Sequence, residues 1–121
     1  EAYMLAWHLV ARVNPNIKFY AYTKSIQWMY NLEDQRPINL RMIASYGSKE
    51  DSLIDELNLD SARVIFHPSE RNGLPIDKNE YHAINNVGSF NLLLHGTQKQ
   101  GSIGSEALKR MNKENINYSY S

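Results

Sequence analysis

The stretch INLRMIASYGSKEDSLIDELNLDSARVIFH, residues 38–67, contains the pattern that decides the fold. Ile38–Ser45 is a short apolar run that predicts a strand, and Gly47 supplies the turn out of it. Ser48–Asp51 has the form of a capping box and predicts the start of a helix. Ala62–His67 then predicts the next strand. This order predicts parallel strands joined by a right-handed crossover.

The same alternation extends in both directions along the chain. Residues 1–13 predict a helix that is apolar almost all round, so we expect it to be buried on most sides. The other predicted elements are strands at Ile17–Thr23 and Phe90–His95, a helix from Thr23 or Ser25 to about Leu32, a helical turn around Asn79–Ile84 within a long irregular crossing at residues 68–88, and a helix capped by Ser102 or Ser105. The fold class is therefore α/β, with a small, mostly parallel sheet of about four strands and crossover helices.

The predicted domain is a single one over residues 1–113, followed by a flexible tail over residues 114–121. A parallel sheet normally has both faces covered, and three or four helices barely suffice for this. The chain also begins at Glu1 inside a helical pattern, which is typical of a fragment. We therefore expect that further chain completes a barrel or wound sheet, or that a second copy covers the open face.

Composition excludes several classes of function. Thirteen basic residues balance thirteen acidic ones, so the net charge does not indicate a nucleic-acid partner. The chain has no cysteine, which excludes disulfides, thiolate catalysis and Cys-ligated zinc or iron–sulfur clusters within it and suits the cytoplasm. No apolar stretch approaches the roughly 20 residues that span a bilayer, so no membrane partner is predicted.

Charge is nevertheless unevenly distributed along the chain. Residues 49–60 carry one lysine against five acidic residues, and residues 99–113 carry four basic residues against one glutamate. These segments are either the solvated faces of two helices or two docking patches of opposite sign.

Each predicted strand ends at a small polar cluster, and the carboxyl ends of parallel strands are where such folds bind ligands. The clusters begin at Thr23, Ser45, His67 and His95. We expect them to share one edge of the sheet, which we call the strand-end rim. His67 and His95 are the candidate catalytic groups, of a type that suits proton transfer or metal ligation, with Glu70 placed either to orient His67 or to act as a third metal ligand. No metal site is assigned, because the sequence does not show that ligands converge.

The segment from His95 to Ser105 has the most specific chemical pattern. It leaves a strand, carries three glycines and Lys99, and enters a helix whose free N–H groups suit an anion. It matches neither the P-loop nor the dinucleotide-binding glycine pattern, and a flexible turn with a capped helix is the simpler interpretation. The candidate ligand-binding residues of the rim are Lys24, Tyr46, Gly96, Thr97, Lys99 and Ser102.

Several short motifs resemble one protein family in their order. They are the runs at residues 14–25, 37–40 and 45–55, together with Ala62–Phe66 and Leu94–Thr97. The chain resembles the phage "gene product 88" family over most of residues 3–98. The resemblance implies an α/β fold, a phage or prophage origin and therefore the host cytoplasm. Members of that family are typically longer and carry a cysteine-containing segment upstream, which this chain lacks.

Two functions remain open at this point. The first is a phage accessory domain that binds a small anionic ligand or nucleotide at the rim, in which case His67 or His95 would transfer protons. The second is a non-catalytic interaction protein that pairs with itself or with a host protein. Whether the chain is an enzyme stays open, and no cofactor is identified. A catalytic rim requires His67, Glu70 and His95 to converge, whereas an exposed apolar patch on the sheet favours interaction.

Overall fold

The computed structural model describes residues 2–85, 88–95 and 98–116, and it contains one four-stranded parallel sheet. The strands are β1 (Phe19–Thr23), β2 (Leu40–Ser45), β3 (Ser61–Ile65) and β4 (Phe90–Leu93), and they lie in sequential order. Phe19 pairs with Leu40, Ser45 with Ala62, and Ala62 with Phe90. The α/β prediction with four parallel strands is therefore confirmed.

Within the described residues, five α-helices alternate with these strands. They are α1 (Ala2–Val13), α2 (Ile26–Asn31), α3 (Asp51–Glu56), α4 (Tyr81–Asn85) and α5 (Ile103–Lys113). Short 3₁₀ turns follow at Glu33–Gln35 and Pro68–Glu70. Local capping explains the start of α5, where Ser102 Oγ accepts a hydrogen bond from Ser105 N. At the start of α3, the Asp51 carboxylate accepts from Gly47 N and Ser48 N and so fixes the turn that precedes the helix.

Strands β1 and β2 begin two residues later than the sequence predicts. The N–H of Ile17 donates to Asn14 O, and the N–H of Leu40 donates to Pro37 O. Both segments are therefore still in turns just before the strands. Ile38 is consequently fully exposed. The apolar character of Ile17 and Ile38 therefore does not reflect strand pairing.

Four of the helices cover one face of the sheet. Helices α1, α2 and α3 pack on the side chains of Phe19, Ala21, Leu40, Met42 and Ala44. Helix α5 packs through Met111 on Ile65 and Leu93, which alternation places on the same face. Helices α2 and α3, which connect β1 to β2 and β2 to β3, both lie on this face, as expected for sequential parallel strands joined by crossovers of one hand.

The opposite face of the sheet is only partly covered. Among the described residues, α4 is the one helix that packs there, with Ala83 fully buried against Ile43, Ala62 and Phe90. Beyond α4, Val64 is 50% exposed, Tyr22 is 39% exposed, and Leu92 is half-buried. We call these three residues the open patch. The Tyr22 ring lies 6.4 Å from the Phe90 ring, so the patch is continuous with the surface under α4.

Helix α1 departs from its expected burial. Met4, His8 and Ala11 face the core, but Leu9 and Val13 are more than half exposed. The prediction that α1 is buried on most sides is wrong because the helix packs on the sheet along one stripe only. Tyr30 of α2 is likewise about half exposed.

The segment before α4 supports the outer edge of β4. Asn91 N donates to Pro75 O and Asp77 N donates to Asn91 O, both at 2.8 Å, so Pro75–Asp77 lies alongside β4. The buried Asn91 side chain also donates to Arg71 O at 2.9 Å. The long crossing predicted as irregular is thus tied to the sheet at this point.

Helix α5 continues into contacts beyond residue 113. Ile116 packs against the cluster of Ile65, Leu93 and Met111, and Ile116 N donates to Met111 O at 3.0 Å. Residues 117–121 lie outside the described residues. The division into a domain and a tail at residue 113 stays a prediction.

Candidate functional site

The first strand end brings Lys24 next to Gly47. Ser48 Oγ donates to Lys24 O at 3.3 Å, and a Cβ atom at Gly47 would lie 3.0 Å from Lys24 Nζ. Gly47 has a φ of +116°, which favours glycine. The free amides of this turn, Gly47 N and Ser48 N, already donate to the Asp51 carboxylate at 2.9 Å. The turn therefore positions a lysine, while its own N–H groups are used by α3.

Tyr46, at the second strand end, is directed to the helix-covered face. Its hydroxyl donates to Asp55 Oδ1 at 2.7 Å, and the Arg63 guanidinium lies 4.0 Å from the centre of its ring. Burial, followed by the hydrogen bond to Asp55, raises the pKa of the Tyr46 hydroxyl above its ordinary value. Tyr46 therefore joins β2 to α3 and stacks with a cation of β3.

His67, at the third strand end, has both ring nitrogens in hydrogen bonds. Ser69 N donates to Nδ1 at 3.1 Å, so Nε2 carries the proton and donates to the Glu114 carboxylate. This hydrogen bond holds the pKa of Glu114 below its usual range. The side chain of Glu70 turns back instead and accepts from Phe66 N at 3.3 Å. His67 and Glu70 thus share one turn but bind different partners.

The fourth strand end is followed by a loop whose described residues hydrogen-bond to one another. The Gln98 side chain donates to His95 O at 3.1 Å, and Ser102 N donates to Lys99 O at 3.0 Å. Ser102 also caps α5 through its hydroxyl. Gly96 and Thr97, two of the predicted ligand-binding residues, lie outside the described residues. In residues 2–85, 88–95 and 98–116, no group of three or more His, Asp or Glu side chains is placed to hold a metal ion.

A cleft of about 880 Å³ lies at the opposite end of the sheet, near the start of β1 and β2. Its charged lining includes Arg36 and Arg41, which sequence reasoning did not single out. Arg36 donates to Glu33 at 2.8 and 3.0 Å, and this hydrogen bond raises the pKa of Arg36. Arg41 donates to Asp60 at 3.2 Å and to the carbonyls of Ala83 and Gly88 at 3.1 Å. Both arginines are therefore engaged by the protein itself.

A second group that sequence reasoning missed lies under α4. The Asp77 side chain is 1% exposed, and its Oδ1 lies 3.4 Å from Nδ1 of His82. Neither Asp77 oxygen nor that nitrogen has a hydrogen-bond partner within the described part of the chain. No sequence pattern indicated this pair, because an aspartate within a loop does not reveal that it is buried.

Three of the rim residues thus have close neighbours within the chain. Lys24 lies next to Gly47, Tyr46 donates a hydrogen bond to Asp55, and His67 donates one to Glu114. The open patch lies on the other face of the sheet. None of the helices in the described residues is long and apolar enough to cross a membrane.

Comparison with known proteins gives one match. The family model described as "gene product 88" matches residues 1–115, which is nearly the whole chain. No curated protein and no solved structure matches the chain.

Proposed function

We propose that this chain, which belongs to the phage gene product 88 family, is a non-catalytic interaction domain whose open sheet face packs against a second copy. The observation that carries the proposal is the one-sided arrangement of the helices, which leaves the open patch exposed on the opposite face. Parallel sheets are normally covered on both faces, and burial of apolar surface drives most protein association.

The open patch is apolar and aromatic in composition. Tyr22, Val64 and Leu92 bear no charge, and the Tyr22 ring packs edge-on against Tyr20 and Phe90 at 6.0 and 6.4 Å. Tyrosine is enriched in interface cores because it combines a large apolar ring with a polar hydroxyl. Covering such a patch gains about 25 cal/mol for each Å² of apolar surface removed from water.

A second copy fits this surface better than a strongly charged partner. The open patch has no charged side chain with which to recognise such a partner, whereas another open patch is apolar in the same way. The chain carries equal numbers of acidic and basic residues, so two copies do not repel each other through net charge. A twofold interface between identical patches is the commonest form of soluble oligomer. The host cytoplasm is the proposed setting, which suits a chain without cysteine.

The contacts at the rim also favour interaction over catalysis. Both ring nitrogens of His67 and the carboxylate of Glu70 are committed to hydrogen bonds within the chain. A general base must reach its substrate proton, and these partners occupy the groups that would do so. The small-anion hypothesis stays a prediction, and a thermal-shift panel of phosphate, nucleotides and divalent metals tests it, since any ligand of the folded state raises Tm.

Sedimentation velocity of the purified chain across a wide range of concentration tests the proposal. We expect a concentration-dependent species of twice the 14.0 kDa chain mass. Val64→Glu places a charge in the open patch and is expected to yield only monomer. Val13→Glu is the matched control, because Val13 is 66% exposed on α1 and lies outside the patch.

Two outcomes would overturn the proposal. One is a strictly monomeric wild-type chain at every concentration. The other is association that survives Val64→Glu but is lost in Val13→Glu, which would move the interface to α1. Circular dichroism of each variant shows that the fold is retained.

A further inference from the structure

Asp77 is a buried carboxylate that lacks the hydrogen bonds a buried charge usually has. Its side chain is 1% exposed, and within the described residues neither oxygen accepts a hydrogen bond. The facing atom, Nδ1 of His82, is also buried and without a hydrogen bond, at 3.4 Å. A buried carboxylate is tolerated when it is paired with a cation, so a protonated His82 is its natural partner.

This pair connects α4 to the chain that lies beside β4. Asp77 is held in place by the backbone hydrogen bond from its own N–H to Asn91 O, whereas His82 lies on α4. Helix α4 has only five residues and is too short to be stable alone, so tertiary contacts must hold it. These contacts are the burial of Ala83, the hydrogen bonds from Arg41 to the carbonyls of His82 and Ala83, and the approach of His82 to Asp77.

The other charged and titratable groups around His82 come from three directions. Strand β1 contributes Tyr20 and Tyr22, and strand β2 contributes Arg41, which binds backbone carbonyls and Asp60. Strand β4 contributes only the uncharged ring of Phe90, 5.7 Å from the imidazole. Glu80 and Tyr81 flank the histidine on its own segment.

Glu80 adds a strained backbone at the start of α4. It has a φ of +63°, a conformation that non-glycine residues rarely adopt, and its carboxylate accepts a hydrogen bond from Tyr20. Burial and this hydrogen bond raise the pKa of Tyr20, so its hydroxyl stays protonated. Histidine is the side-chain type whose charge ordinarily changes near physiological pH.

We propose that α4 is a pH-sensitive latch, held on the sheet by the ion pair of Asp77 with protonated His82 and loosened when His82 loses its proton. Opening of the latch exposes Ile43, Ala62 and Phe90, which continue the open patch. The inference that this opening enlarges the docking face at higher pH rests on the proposed function. The latch itself does not depend on it.

Thiol labelling tests the latch directly because the chain has no native cysteine. Ala83→Cys places a thiol under α4, and Ala44→Cys places a matched thiol under the helices of the other face; both alanines are fully buried. Subtracting the Ala44→Cys labelling rate from the Ala83→Cys rate removes global unfolding, including any contribution from His8 under α1. The ratio of this difference to the labelling rate of the same thiol in the urea-unfolded chain removes the intrinsic pH dependence of the thiol.

We expect this ratio to rise about fivefold or more between about pH 5.5 and about pH 8. Asp77→Asn and His82→Gln, each in both cysteine backgrounds, should abolish the pH dependence, whereas Glu70→Gln should retain it. A wild-type ratio that does not change with pH overturns the proposal, and so does a pH dependence that survives either pair variant.

A second readout serves if Ala83→Cys does not fold. The amide of Ile84 donates to Glu80 O at 2.9 Å within α4, so its hydrogen exchange, corrected for intrinsic rates, reports the same opening. The same rise with pH is expected, and its absence overturns the latch. Labelling and exchange are measured on dilute monomer, so either result leaves the sedimentation test of self-association independent.

Discussion

The imidazole of His67, at the end of β3, donates a hydrogen bond to the carboxylate of Glu114, the residue that follows α5. The two residues are 47 positions apart, so the bond fixes the end of α5 against the sheet. It also gives the strand-end histidine a structural role that no local pattern reveals.

Loss of this bond should destabilise the fold modestly and make it less sensitive to acid. The pKa of Glu114 is lowered in the folded state, so its stabilising effect is present above the unfolded value and is lost as pH falls through the folded one. We expect Glu114→Gln to lower Tm by a few degrees at neutral pH and to approach the wild type in acid. Thermal unfolding followed by circular dichroism measures this, and an equal Tm difference at every pH would contradict it.

His8 should produce a second acid-sensitive step. It is buried in α1, its Nδ1 has no hydrogen bond in the described structure, and burial followed by Arg12 lowers its pKa from 6.5. The unfolded chain therefore binds the proton more readily, so stability is complete above about pH 6.5 and falls as pH drops through the folded pKa. Urea unfolding as a function of pH should show this fall, and His8→Met should remove that part of it. Persistence of the full slope in His8→Met would assign it to another group.

Asn39 should be among the most important polar side chains of the fold. Its amide nitrogen lies 2.8–3.0 Å from the carbonyl oxygens of Ala11, Asn14 and Ile17, which share its two N–H donors. It therefore joins the end of α1 and the approach to β1 with the approach to β2. We expect Asn39→Ala to lower the free energy of unfolding by about 2 kcal/mol, because partly buried carbonyls lose their donor. Asn39→Asp keeps the shape but sets a carboxylate against these three carbonyl oxygens, and should be more damaging than Asn39→Ala.

The control for this prediction is Asn16→Ala, an exposed position of the same turn. Urea unfolding should place it within about 0.5 kcal/mol of the wild type. A loss as large as that of Asn39→Ala would show that the turn, and not the amide bonds, is responsible.

Gly47→Ala should be destabilising because of backbone conformation more than crowding. The φ of +116° is strained for any side chain, whereas the Lys24 Nζ atom that a Cβ would meet can move away. We expect a loss of about 1–2 kcal/mol. The same loss is expected in a Lys24→Ala background, and a double-mutant cycle measures the difference. A loss that disappears without Lys24 would show that crowding dominates.

Regular elements were largely predictable from the sequence, because their signals are local. The turn at Asn14–Pro15 predicts the end of α1, and Ser102 was one of two predicted caps of α5. The late starts of β1 and β2 were not predictable, since Ile17 and Ile38 resemble strand residues but lie in turns. The exposed side of α1 was also missed, because an apolar sequence does not reveal how many neighbours a helix has.

The candidate site was less predictable for a physical reason. Strand-end positions follow from alternation, but their partners depend on tertiary contacts. Tyr46 pairs with a helix nine residues on, and Arg41 contacts His82 from 41 residues away. The buried pair of Asp77 and His82 has no local pattern, and only the path of Pro75–Asp77 along β4 brings it under α4.

That path along β4 has a consequence for how the sheet could grow. Pro75–Asp77 occupies the outer edge of β4 at Asn91, and proline offers no backbone donor to a newcomer. Within the described residues, β1 is therefore the edge left for strand addition. A sheet with a single open edge forms a closed pair when two copies meet at that edge. No edge is then left for a third copy. We therefore expect this asymmetry to disfavour polymerisation into fibres.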